Sequence, residues 1–253
     1  MGRIISVANQ KGGVGKTTTA INLAACLAEL NQKVLAVDTD PQGNMTSGLS
    51  VNKNEIEYSV YELLLGEVDI QQAICKNIYE NLDVLGANVN LSAVEVELAG
   101  KENVHYILKE ELDKIKDEYD YIIIDCPPSL NLLTLNSMVA SDSIIVPIQC
   151  EYFALEGLSQ LMHTINLVQE RLNPDLEIEG VVFTMYDART NLSLQVVENV
   201  KDNLEQKIYK TIIPRNIRLA EAPSHGMPIN IYDTKSVGAE QYRLLAAEVI
   251  NKE

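Results

Sequence analysis

Runs of aliphatic and β-branched residues recur along the chain, separated by longer stretches with helical periodicity. The runs Arg3–Ala8, Lys33–Asp38, Leu82–Leu85, Tyr121–Asp125, Ser143–Ile148, Val181–Thr184 and Ile208–Ile212 predict strands. Several, such as Tyr121-Ile122-Ile123-Ile124, are apolar at every position. That suits strands covered on both faces, as in a parallel sheet. The stretches Thr17–Leu30, Val104–Lys116, Ala154–Leu172, Leu192–Leu204 and Gly238–Asn251 predict helices. Alternation of this kind implies right-handed βαβ units and an α/β fold: a doubly wound, mostly parallel sheet flanked by helices. Between Ser50 and Lys101 the pattern breaks into short pieces, predicting small helices over one edge. No linker, repeat or low-complexity tract interrupts residues 1–253, so one domain is expected.

Composition narrows the picture by exclusion. Trp is absent and Phe occurs twice, so aliphatic side chains must build the core. No apolar run reaches the length of a membrane span, and no charged-then-apolar leader opens the chain, which predicts a cytoplasmic protein. Cys26, Cys75, Cys126 and Cys150 form no Cys-x-x-Cys pair and read as free thiols. His105, His163 and His225 are equally scattered. Lys and Arg number 20 against 36 Asp and Glu, a net charge of −16. Such a chain is no general polyanion binder, so any contact with nucleic acid requires a local basic patch.

Candidate chemistry is concentrated between the first predicted strand and the first helix. There the sequence reads Asn9-Gln10-Lys11-Gly12-Gly13-Val14-Gly15-Lys16-Thr17-Thr18. Strand, glycine-rich turn and helix are the setting of a phosphate-binding loop. Glycines let backbone N–H groups turn onto phosphate oxygens, and the helix N-terminus adds positive potential. Lys16 is placed to reach the β- and γ-phosphates of a nucleotide, and the Thr17 hydroxyl to ligate Mg²⁺. The general pattern asks for Gly where Gln10 stands, and an additional lysine, Lys11, lies just inside the loop.

Two carboxylate clusters follow. Asp125 closes an apolar strand and precedes Cys126-Pro127-Pro128-Ser129, a position from which it can hold Mg²⁺ directly or through water. Asp38-Thr39-Asp40-Pro41-Gln42-Gly43-Asn44 closes another strand. Asp38 is a candidate for the Mg²⁺ water shell, and Asp40 for orienting or deprotonating an attacking water. In a doubly wound sheet all three segments gather at the carboxyl ends of the strands.

The segments Lys11–Thr18, Asp38–Asn44 and Ile124–Ser129 together resemble the ParA/MinD family of P-loop ATPases with a deviant Walker A motif. Gln149–Leu158, Tyr186–Asn191 and Ile213–Ser224 narrow the likeness to its chromosomal ParA branch, and it runs essentially end to end. The resemblance implies an ATP- and Mg²⁺-dependent sandwich homodimer in which Lys11 reaches the partner's nucleotide, as an arginine finger does. It further implies that Pro214 and Asn216 hold the adenine, and that Lys11, Gly12, Gly13, Val14, Gly15, Lys16, Thr17 and Thr18 cradle the phosphates. By the same likeness the ATP-bound dimer binds DNA without sequence preference on the nucleoid. A centromere-binding ParB (Spo0J-type) protein stimulates hydrolysis and releases it, and the replication initiator is a further partner.

A DNA face is predicted from Arg189, Lys201, Lys207, Lys210 and Arg218. Residues 201–218, with Arg215 among them, carry a local charge of +3, and Arg189, Lys235 and Arg243 would widen that face. An ordinary solvated helix face is the alternative reading of these lysines. The segment Glu102–Leu108, often arginine-bearing in the family, has none here, which predicts weak, salt-sensitive DNA binding. Two rival functions remain at this level. One is a membrane-cycling ATPase, which needs an amphipathic tail that the final residues do not display. The other is a nucleotide-gated signalling protein with little hydrolysis.

Overall fold

The computed structural model describes residues 2–151, 154–203 and 208–251. Eight strands form one sheet: β1 (Arg3–Val7), β2 (Val34–Asp38), β3 (Ile74–Tyr79), β4 (Leu82–Leu85), β5 (Tyr121–Asp125), β6 (Ser143–Gln149), β7 (Glu177–Tyr186) and β8 (Ile208–Pro214). Their order is β3-β4-β2-β5-β1-β6-β7-β8, and every neighbouring pair is parallel except β3 with β4. The all-apolar runs become central strands because both of their faces are covered. In β5, Ile122 and Ile124 point into one core with Leu108, Leu112 and Leu133. Tyr121 and Ile123 point into the other, with Leu23, Leu27, Tyr242 and Leu245. The helices Lys16–Glu29 and Val237–Ile250 line that second face.

The predicted doubly wound sheet is therefore present, with some differences in detail. The weak region before Lys101 contains, besides the short helices Val60–Leu65, Ile70–Ala73 and Val94–Glu97, an antiparallel edge strand, β3. The helix expected from Val104 begins at Ile107. Asn136 explains the late start: its amide nitrogen donates to the Val104 carbonyl (2.8 Å), while its oxygen accepts from the Leu108 N–H (3.1 Å). A side chain from the helix Leu132–Ala140, absent from the predicted set, thus sets that boundary.

Topology positions the site. From β1 the chain runs first to β2 on one side and later to β6 on the other, so the end of β1 lies at a switch point of the strand order. Asp38 and Asp125 end neighbouring strands in direct register, and Val7 pairs with Asp125 on the other side.

Candidate active site

The loop after β1 is held from three directions. Asn9 donates to the Pro147 carbonyl (2.8 Å) and accepts from the Lys11 N–H (3.0 Å). Gln10 donates to the Thr164 hydroxyl (2.7 Å) on the helix Ala154–Arg171. From β7, Thr184 donates to the Val14 carbonyl (2.8 Å). Gly13 and Gly15 adopt φ of 76° and 88°, conformations that favour glycine. A Cβ at Gly12 or Gly13 would meet nothing within 4 Å, so this backbone faces open space. Gly15 caps the helix Lys16–Glu29 without any side-chain acceptor, and no acidic residue occupies its first turn. Its leading N–H groups are left for an external anion.

Lys16 is 6% exposed, and its Nζ donates to the Lys11 carbonyl (3.0 Å). Burial lowers its pKa, with Asp125 and Asp40 acting in the opposite sense. Gly12, Gly13, Lys16, Thr17, Thr18, Asp40, Gln42 and Asn44 surround a cavity of about 340 Å³. The Asp40 carboxylate accepts from the Gln42 N–H (2.9 Å) at its edge. Lys11 directs its ammonium elsewhere, to 3.7 Å from Glu151.

The two strand-end aspartates differ in their partners. Asp38 is fully buried; one oxygen accepts from the Thr46 N–H (2.8 Å) and hydroxyl (2.7 Å), the other from the Asp40 N–H (3.1 Å). Burial still outweighs these bonds and pushes its pKa up to about 6. Asp125 is equally buried, yet neither oxygen has a hydrogen-bond partner among the described residues. Its pKa is raised well above the ordinary carboxylate value, first by burial and then by the Asp38 charge, with Thr17 and Lys16 acting against the rise. A buried carboxylate without donors, beside a hydroxyl and an ammonium, fits a divalent cation shared with bound phosphates. Asp38, already committed to Thr46 and Asp40, fits a role through water.

Beside this cavity lies a slot of about 220 Å³ walled by Gly15, Thr18, Met185, Ile213, Pro214 and Asn216. The Asn216 side-chain oxygen caps Arg218 N–H (2.8 Å), leaving its amide nitrogen available to donate. Sequence reasoning overlooks Thr46, Thr184 and Met185, since nothing local sets them apart. Only their place within two residues of the segments Asp38–Asn44 and Tyr186–Asn191 hints at them.

The predicted cationic face is not assembled in one place. Arg189 and Arg218 follow the C-terminal ends of β7 and β8, on the cavity side. Lys201 is ten residues along the helix Asn191–Asn203, about 15 Å toward the opposite end of the sheet. Lys210 precedes the end of β8 by four residues, about 13 Å. Lys207 lies outside the described residues, as do Tyr152, Phe153 and Leu204. The arginines also carry their own counter-ions. Arg189 grips Asp187 through two nitrogens (2.8 and 2.7 Å), Arg218 meets Glu221 (2.9 Å) and Asp233 (3.4 Å), and Arg243 meets Glu29 (2.9 Å).

The chain is similar to several known proteins along its whole length. Residues 2–178 match a family described as an AAA domain. The sporulation initiation inhibitor protein Soj of Bacillus subtilis (strain 168) is 57% identical over 249 residues, covering 98% of each chain. The chromosome partitioning protein ParA of Myxococcus xanthus (strain DK1622) is 51% identical over 253 residues, covering 100% of this chain and 89% of that one. Among solved structures, a Mycobacterium smegmatis protein described as cobyrinic acid a,c-diamide synthase, with bound ATP analogue and magnesium, superposes with a TM-score of 0.88. It shares 39% identity and covers 99% of this chain and 95% of its own.

Proposed function

The chain belongs to the ParA/MinD family of P-loop ATPases, in its Soj/ParA chromosome-partitioning branch, and from that premise we propose that it hydrolyses ATP to switch its hold on DNA. The observation that carries the nucleotide part is Asp125, a fully buried carboxylate without a donor, set beside Lys16 and Thr17 under an uncapped helix N-terminus. In this reading residues 1–253 act as one P-loop ATPase domain. Backbone N–H groups of Gly12–Thr18 cradle the phosphates, and Lys16 exchanges the Lys11 carbonyl for phosphate oxygens. Thr17 and Asp125 hold Mg²⁺, with Asp38 acting through water. An ion held there would offset the negative charge that develops on phosphoryl transfer. Asp40 orients the attacking water at the cavity edge, and the slot containing Pro214 and Asn216 takes the adenine.

Lys11 lies outside its own phosphate cavity. That arrangement agrees with action on a partner's nucleotide in an ATP-dependent homodimer. The dimer binds DNA non-specifically on the nucleoid through Arg189 and Arg218 on the cavity side, whereas Lys201 and Lys210 lie apart from them and Lys207 is outside the described residues. A ParB/Spo0J-type protein stimulates hydrolysis and releases it, and contact with the replication initiator links segregation to initiation. Among the described residues no helix is long and apolar enough to cross a membrane.

Retardation of DNA at low salt, with ATP or ADP, tests this reading on wild type, Asp40→Ala and Arg218→Glu. Retention by Asp40→Ala with ATP alone, lost in Arg218→Glu, is the expected result. The ion pairs of Arg189 and Arg218 favour one alternative, a nucleotide-gated signalling protein. Absence of retardation in every state, with dimerisation intact, would select it.

A further inference from the structure

Met185 has an unusual backbone in an informative place. Of the six described non-glycine residues with positive φ, four are Asn and one is Ser; the sixth is Met185, with φ of 51°. Asn and Ser suit such a conformation through short polar side chains, whereas a long apolar side chain gains nothing from it. Met185 belongs to β7, where the pairing with β8 shifts: Phe183 pairs with Ile212, but Tyr186 pairs with Pro214. Three steps on one strand match two on the other, which is a bulge, a device that re-aims a side chain next to a site.

The neighbours of Met185 are both committed. Thr184 clamps the phosphate loop at the Val14 carbonyl (2.8 Å), and the Tyr186 carbonyl accepts from the Arg215 N–H (2.9 Å) in the wall of the slot. Met185 itself lines both cavities, the phosphate cavity and the slot. Glycine would adopt this φ at no steric cost, so the side chain is retained against the local preference of the backbone.

We infer that Met185 is a positioning residue for the nucleoside: the bulge places its thioether side chain at the seam between the two cavities, against the sugar that joins base to phosphates. A flexible, polarisable side chain can follow a ligand that changes length between triphosphate and diphosphate. This inference rests on the proposed nucleotide binding, and three ligands separate the two. Calorimetry with Mg–ATP, Mg–ADP and Mg–tripolyphosphate would compare wild type, Met185→Gly and Met185→Leu. Met185→Gly is expected to melt no lower than wild type, to bind both nucleotides at least fivefold more weakly, and to bind tripolyphosphate unchanged. Met185→Leu, which keeps an apolar side chain, should stay within twofold for all three.

Unchanged ADP and ATP affinity in Met185→Gly would overturn the inference. So would an equal loss of tripolyphosphate, because the bulge would then serve the phosphate loop through Thr184. Wild type that binds tripolyphosphate but neither nucleotide would remove the nucleotide reading itself.

Discussion

Asp125 shows how a single residue can work against the stability of the free protein. Burial and the neighbouring Asp38 hold the pair at raised pKa, with Asp38 near about 6. The folded state therefore retains protons that the unfolded chain releases above about pH 4. This contribution is most favourable below the unfolded pKa and is lost as pH rises through the folded value. Asp125→Asn is expected to raise the melting temperature of the nucleotide-free protein at pH 8 by about 2–4 °C, the equivalent of roughly 1 kcal/mol. It should also flatten the decline between pH 4 and 7. Comparing the two proteins cancels the opposite contribution of Asp187, which Arg189 holds below the usual carboxylate range. A variant that melts no higher at pH 8 would refute the account. Lys16→Ala should abolish ATP binding while the fold persists, and calorimetry showing affinity within threefold of wild type would contradict its phosphate role.

Between residue and fold stands the turn after β2, which ties three elements together. Thr46 donates its hydroxyl to Asp38 and accepts from the Ala87 N–H (2.9 Å), joining the ends of β2 and β4 to the helix Asn44–Gly48. Gly43, at φ 61°, sits where a Cβ would be 2.7 Å from the Ala87 carbonyl oxygen. Thr46→Val leaves Asp38 short of a donor and Ala87 without an acceptor, which should cost about 2 kcal/mol. Thermal melting 4–8 °C below wild type is the expected reading, and an unchanged melt would mean that water replaces the hydroxyl.

Elements differ in how legible they are in the sequence. Central strands such as β5 are legible because two covered faces demand an unbroken apolar run. The edge strand β3 is not: Lys76 and Asn77 are exposed on it, and its pairing is irregular. The helix Leu132–Ala140 is nearly all apolar or small, so no polar stripe marks its period. The phosphate loop is legible because its chemistry is local. The Asp38–Asp125 register and the Met185 bulge are not, since strands distant in sequence create them.

At the scale of the molecule, a net charge of −16 opposes the proposed DNA binding, which must rest on a few cations. Arg189 and Arg218 are paired with Asp187, Glu221 and Asp233, three carboxylates against two cations. Asp233→Asn is expected to strengthen DNA binding several-fold at 50 mM salt and to steepen its salt dependence. Equal affinity in titrations of variant and wild type would show that Arg218 does not face the phosphates. The strand order has a further consequence, in time instead of space. β1 precedes the other seven strands of the sheet, yet its neighbours are β5 and β6, with residues Tyr121–Asp125 and Ser143–Gln149. At about 5–20 residues per second, a ribosome needs roughly 7–30 s to supply them. For most of that interval Ile4–Val7 has neither sheet neighbour, and throughout it the nascent phosphate loop lacks the β7 hydroxyl that will hold it. The centre of the finished sheet is thus the part of the newborn chain that waits longest for shelter.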